Sequence, residues 1–209
     1  MSTYATLVSE IRGDIHRGSD FDARIKAAIC AAIRHYRVER LRFNTTHSYI
    51  LSTSASAEYY AIPTLVEIDA VTLQFGDDRL VVYERSWDWI EERARPNVIG
   101  QPTHFAIQDS QLRPYPLPER TYSLALAMHI DLTEISISAS DAATNAWMTE
   151  GFDLIKQRAL GDLHMNYIRA DSSREDGAAA WAQAADILKS LKRRANREQS
   201  TGRIRPYCV

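Results

Sequence analysis

The sequence predicts an α+β protein: a helical bundle of N- and C-terminal helices, an inserted antiparallel β-sheet region, and an extended C-terminal tail. Three observations carry this. Apolar residues recur at helical spacing through residues 3–42 and again from Trp147 to about residue 200. Between Asn44 and Ile130 the period falls to two. About six short strands crowd into that middle stretch without a crossover helix long enough for a βαβ unit, so antiparallel pairing follows. The corresponding divisions are 1–43, 44–132, 133–200 and 201–209, and no internal repeat is visible.

The N-terminal part contains two helices. Tyr4, Leu7, Val8, Ile11 and Ile15 place an apolar stripe on residues 3–17, which Gly13 and Gly18 weaken or end. Ser19-Asp20-Phe21-Asp22 reads as a capping box. The helix that follows, about 20–42, lines up Ile25, Ile29, Ile33, Tyr36 and Arg40. Ala28, Ala31 and Ala32 allow a second helix to approach it, and its far end is basic with Arg34, Arg37, Arg40 and Arg42.

The strands come next. Tyr49, Leu51 and Thr53 alternate with Ser48, Ile50 and Ser52, and a short strand around Tyr59 and Tyr60 is stopped by Pro63. Two alternating stretches between Leu65 and Phe75 change phase near Ala70, which predicts a bulge. Gly76-Asp77-Asp78 reads as a hairpin turn leading to a return strand, 80–84. Ser86 caps a short helix with Trp87, Trp89 and Ile90 that ends before Pro96. Phe105 and Ile107 mark a strand. Arg113-Pro114-Tyr115-Pro116-Leu117-Pro118 must be extended, at a sheet edge or in a loop, with a polyproline ligand as the alternative reading. Tyr122, Leu124, Leu126, Met128 and Ile130 give the cleanest alternation in the chain.

Residues 132–145 are small and polar and read as a loop. Trp147 then opens a helix, as a hinge between sheet and bundle, with Phe152, Ile155, Ala159, Leu163 and Tyr167 as its stripe. After a turn at 170–173, Ser172 and Glu175 form a second capping box. The last helix turns Ala178, Trp181, Ala185, Leu188, Leu191 and Ala195 inward. Thr201-Gly202 stops it before the extended tail.

Composition narrows function by exclusion. The 209 residues are 45% hydrophobic and 25% charged, ordinary for a globular chain that folds without a metal or disulfide staple. Two cysteines, Cys30 and Cys208, make no disulfide framework, so a reducing compartment is the default. The start of the chain lacks a signal-peptide pattern, and no apolar run approaches a membrane span. The net charge of −2 hides an asymmetry: residues 189–209 carry seven basic side chains against one acidic one. Lys192, Arg193, Arg194 and Arg197 are candidate phosphate contacts there. No aromatic residue interleaves them and no sequence-reading DNA motif is present, so any DNA contact would lack sequence preference. The same charge also suits the negative end of a helix dipole.

Catalytic patterns are missing. The chain contains no G-x-G-x-x-G, no phosphate-cradling G-x-x-x-x-G-K-[ST], no H-E-x-x-H and no G-x-S-x-G. His35 with Glu39, and Asp162 with His164, are pairs where a metal site needs three or four converging ligands. Asp141, Asp153 and Asp162 are not spaced to share acid–base work. Cys30 reads as a buried small hydrophobe, and no cofactor is implied.

A series of segments, in order, resembles bacteriophage head–tail connector proteins, also called adaptor or head-completion proteins. They are Glu58-Tyr59-Tyr60-Ala61-Ile62-Pro63, Ile68-Asp69-Ala70-Val71-Thr72-Leu73, Gly100-Gln101-Pro102-Thr103-His104-Phe105, Leu112-Arg113-Pro114-Tyr115-Pro116, Asn145-Ala146-Trp147-Met148-Thr149, Asp153-Leu154-Ile155-Lys156-Gln157-Arg158-Ala159 and Thr201-Gly202-Arg203-Ile204-Arg205-Pro206. The resemblance implies a non-enzymatic virion protein at the neck, assembled in the host cytoplasm. It would form a homo-oligomeric ring, commonly of twelve copies, below the portal protein. Such a ring extends the channel for packaged DNA and offers a surface to a downstream tail, nozzle or stopper protein, with no membrane involved. The resemblance also makes Arg203, Ile204, Arg205, Pro206 and Tyr207 a tail that docks on the portal or on a neighbouring copy. Two readings stand beside it: a phosphate-binding protein using the basic C-terminal helix, and an enzyme with an unrecognised site. Salt separates the connector from the phosphate-binding reading, because phosphate contacts weaken steeply as salt rises.

Overall fold

The computed structural model describes residues 3–76, 78–94, 98–132, 142–168 and 172–200. It is a mixed α+β structure with six α-helices and a curled sheet. The chain divides into two compact units, residues 1–43 with 132–209, and residues 44–131.

In the first unit, α1 (Tyr4–Asp14) is capped by the Thr3 hydroxyl, which accepts from the Thr6 amide at 3.3 Å, and it buries Tyr4, Leu7, Val8 and Ile11. The predicted capping box at Ser19 does not form. Ser19–Phe21 is a 3-10 turn, and α2 (Asp22–Tyr36) begins without a side-chain cap. Asp22 instead accepts from the Arg12 guanidinium of α1, with one contact at 2.8 Å. Helix α2 also stops earlier than its period suggests. Continuing it would carry Arg40 onto the stripe that buries Ile29, Ile33 and Tyr36, and an arginine there would lose its water. The chain breaks at Tyr36, and Leu41, fully buried, turns into the core in its place. Ala28 and Ala32 are buried as expected, whereas Ala31 faces outward.

α4 (Ala146–Thr149) is capped by Asn145, whose side chain accepts from the Met148 amide at 3.2 Å. Its Trp147 is fully buried and meets Phe43 edge-on at 4.9 Å, which makes it a core residue of the helical unit. α5 (Phe152–Asn166) buries Ile155, Ala159 and Leu163, while Tyr167 lies just past its end and 48% exposed. α6 (Ser173–Ser200) packs on α5, and the predicted stripe holds at Trp181, Leu188, Leu191 and Ala195 but not at Ala178 and Ala185. Ala178 and Ala185 are exposed; Gly177, Ala180, Ala184 and Ala195 face inward, with Leu188 and Leu191 half-buried. The reason is steric: Gly161 on α5 and Gly177 on α6 let the two helices approach closely. A Cβ on Gly161 would collide with the Trp181 ring, and one on Gly177 would sit 3.3 Å from the Gly161 carbonyl. Trp181 lies beside the seam and donates from Nε1 to Asp162 at 3.1 Å. In the second predicted capping box, the Ser172 hydroxyl bonds the Asp176 carboxylate at 2.8 Å rather than Glu175.

The second unit is a seven-stranded sheet in the order β1-β9-β3-β4-β6-β7-β2, with a small two-stranded sheet, β5-β8. The strands are β1 (Thr45–Ser52), β2 (Tyr60–Ala61), β3 (Leu65–Phe75), β4 (Asp78–Glu84), β5 (Ile99–Gly100), β6 (His104–Gln108), β7 (Gln111–Tyr115), β8 (Leu117–Pro118) and β9 (Ser123–Ile130). β9 sits between β1 and β3, and its Leu124, Leu126 and Met128 are fully buried with Val71 and Leu73 of β3. The phase change in β3 is a register shift between Ile68 and Ala70, with a second between Leu65 and Glu67. Gly76, at φ 61°, occupies the left-handed turn that β3 and β4 need. The first and last strands lie side by side, with Thr45 opposite His129.

Purely antiparallel pairing is corrected at two places: β4 runs parallel to β6, and β5 parallel to β8. The crossover is long enough despite its short helix. α3 (Trp87–Arg93), capped by Ser86 at 3.3 Å to the Trp89 amide, and the residues after it carry the chain from Glu84 to His104. The proline-rich run forms β7 and β8, so it is sheet and not a polyproline ligand. β2 covers β7 only at Gln111 and Leu112. The Thr103 amide donates to the Tyr115 carbonyl at 3.0 Å, which turns Tyr115 toward β6 and Pro114, with no amide hydrogen, toward the outer side.

Candidate interaction surfaces

The basic residues singled out in the C-terminal helix are not equivalent. Lys192 is held at 2.5 Å by Glu39, which lies just past the end of α2, and Lys189 by Asp186 at 3.1 Å. Arg193 and Arg194 are exposed. The Arg197 backbone belongs to α6, while its side chain and the whole predicted tail, Arg203, Ile204, Arg205, Pro206 and Tyr207, lie outside the described residues, as does Cys208. Arg194 joins Arg42, Phe43, Thr149, Glu150 and Leu191 around a cavity of about 430 Å³, with Arg42 and Glu150 paired at 3.4 Å on its wall. Leu191 and Phe43 are the apolar residues of its lining, beside the charged Arg42, Glu150 and Arg194.

Further ion pairs fasten the helices of this unit. Lys156 of α5 reaches Glu10 at 2.9 Å and Asp14 at 3.1 Å on α1. Burial opposes its charge, yet the two carboxylates together hold its pKa above the usual lysine value. Tyr36 has its pKa raised, first by burial. Among the described residues no three His, Cys, Asp or Glu side chains stand together as metal ligands, and Asp162 is engaged by Trp181 and Arg158. No helix among the described residues is long and apolar enough to cross a membrane. Cys30 is buried.

The sheet unit holds an arrangement that the sequence reading missed. The Arg113 side chain, only 4% exposed, lies between the carboxylates of Glu58 and Glu91 and pairs with both. Its guanidinium stands 5.4 Å from the Tyr59 ring and 5.6 Å from the Trp87 ring, which stack on each other at an interplanar angle of 14°. One arginine on β7 therefore fastens the segment before β2 and the helix α3. Beside it, Trp89 receives Arg93 at 4.2 Å and Arg85 at 5.7 Å, and meets His104 and Tyr115. Burial, then the charge of Arg85, lowers the His104 pKa. Both tryptophans are half-buried, and Tyr59 and Tyr83 are 46% and 59% exposed. A surface rich in Trp, Tyr and Arg has the composition of protein–protein contact centres. The available signal was Arg85 and Arg93 flanking the two tryptophans and Arg113 inside the proline run.

The sheet also ends unequally. At one side stand the two-residue β2 and, beyond it, Pro114 facing outward. At the other stands β1, eight residues long with neither proline, lysine nor any acidic side chain.

The family described as SU10 adaptor protein matches residues 2–207, nearly the whole chain. A comparison with curated proteins gave no match.

Proposed function

Because the chain belongs to the SU10 adaptor protein family, we propose that this phage adaptor works as a structural subunit of the virion neck. It forms a ring, of twelve copies in this reading, below the portal protein. The ring continues the channel for packaged DNA and presents a face to the next tail, nozzle or stopper component. Residues 203–209 leave their own subunit and dock on the portal or on a neighbouring copy. The protein acts by geometry, without catalysis, and assembles in the host cytoplasm.

The observation that carries this reading is the family match across residues 2–207. Ring closure needs heterologous contacts, one patch meeting a different patch on the next copy. The unequal sheet ends and the Trp/Tyr/Arg surface supply dissimilar patches of that kind. The exposed Arg193 and Arg194 favour a secondary role, non-specific contact with DNA phosphates. Negative-stain imaging of portal with and without the chain tests the main reading: an added ring at the portal is expected, and bare portals overturn it. Removing residues 203–209 is expected to abolish attachment while leaving the fold; a truncated chain that still attaches overturns the docking role of the tail.

A further inference from the structure

We propose that the C-terminal segment of one copy, residues 203–209, adds as an edge strand to β1 of the next copy. This rests on the ring reading and names the contact that closes it.

The argument begins with the unequal ends of the sheet. An open strand edge offers unpaired amides and carbonyls to any passing strand, and proteins guard such edges with charges, prolines or very short strands. The β2 end of this sheet is guarded by a two-residue strand and by Pro114. The β1 end has none of these guards: Thr45–Ser52 contains no charged residue other than the titratable His47. Its one irregularity lies between Thr46 and Tyr49, and from Tyr49 to Ser52 it runs in continuous register with β9. The Thr53 amide donates back to Tyr122 at 2.9 Å, just before β9. Alternation along the strand then turns the amides and carbonyls of Ser52 and Ile50 to the outer side, where no described strand lies.

Length and charge favour the C-terminal segment as occupant. The nine residues 201–209 that follow α6 reach about 30 Å when extended, enough to run beside an eight-residue strand. The segment contributes Arg203 and Arg205 and no acidic residue, whereas residues 44–131 hold 12 acidic against 6 basic side chains. Pro206 suits an outermost strand. With its missing donor pointed away from β1, the amides of Arg205 and Tyr207 face Ile50 and Ser52.

Cys208 lies inside the proposed strand and serves as the probe. Ile50→Cys, Leu51→Cys and Ser52→Cys are made singly and assembled with portal. Each is oxidised by air with copper phenanthroline, which takes two electrons and two protons from each thiol pair. The expected result is a disulfide between copies whose yield alternates: positions 50 and 52 behave alike, and 51 differs from them several-fold. Adding Cys208→Ser removes the product. Ile50→Pro leaves the β1–β9 ladder intact but blocks the outer edge, and is expected to abolish rings. Rings that form without crosslinks, equal yields at all three positions, links confined to one copy, or normal rings with Ile50→Pro overturn this inference and leave the ring reading standing. Failure of the unaltered chain to form a ring on portal overturns both.

Discussion

Replacing Gly161 by alanine sets two effects of opposite sign against each other. Glycine inside a helix costs roughly 1 kcal/mol relative to alanine, so propensity alone predicts that Gly161→Ala stabilises α5. The structure predicts the reverse. The new methyl would overlap Cδ1 and Nε1 of Trp181 and lie 3.0 Å from its Cγ. A rigid indole at a helix seam cannot yield as a flexible chain end would. If it swings out, its bond to Asp162 at 3.1 Å and the Arg158 guanidinium 5.2 Å from its ring are lost. A hydrogen bond to a charged group contributes about 1.5–3 kcal/mol and a cation–π contact about 0.5–1 kcal/mol. If the helices separate instead, overpacking costs about 1–3 kcal/mol. Against a gain near 1 kcal/mol, the net expectation is a loss of roughly 1–3 kcal/mol if the indole swings out and of up to about 2 kcal/mol if the helices separate. Urea unfolding followed by the helical circular-dichroism signal measures it, with Gly13→Ala as control because nothing lies within 4 Å of a Cβ there. Gly13→Ala should raise the midpoint and Gly161→Ala should lower it. A Gly161→Ala midpoint at or above the unaltered protein's would refute the close-approach account of the α5–α6 seam.

Removing the guanidinium in Arg113→Met leaves Glu58 and Glu91 facing each other. Because both carboxylates are partly hydrated, a loss near the lower end for buried pairs, about 3 kcal/mol, is expected in thermal unfolding of the sheet unit. Leu124→Ala, in the buried row of β9, should cost about 2–5 kcal/mol in the same assay, and a change under 1 kcal/mol would contradict its place in the core. Lys156 and Tyr36 both have raised folded-state pKa values, so their contribution is complete below the ordinary values of 10.5 and 10.0 and is lost as pH rises through the folded ones. Stability should therefore fall above about pH 10, and Lys156→Met should flatten that fall; a pH-independent unfolding midpoint between pH 9 and 11 would count against it.

Elements governed by their own periodicity were readable in the sequence. The alternation from Tyr122 to Met128 is a buried strand face, the phase change at Ala70 is a bulge, and Ser86 caps α3. Where a neighbour decides, local pattern fails. The inward face of α6 is shaped by glycine contacts across the seam, so Ala178 and Ala185, inward by spacing, face water, while Ala195 is buried as its spacing predicts. α2 ends where an arginine would have entered the core, which a stripe of apolar positions does not announce. The parallel β4–β6 pair depends on a seven-residue helix doing a crossover's work. Of the contact surfaces, the basic helix end was legible as charge, but the Glu39 grip on Lys192 required the fold. Arg113 escaped notice because Glu58, Glu91 and its two aromatic neighbours come together only in three dimensions.

The pairing of Thr45 with His129 has a topological consequence. Strand partners stand about 5 Å apart, so the stretch between them leaves and rejoins the chain at nearly a single point. Such a stretch behaves as a cassette: a short linker could replace it, or a differently decorated one could be grafted in, with little disturbance to the helices on either flank.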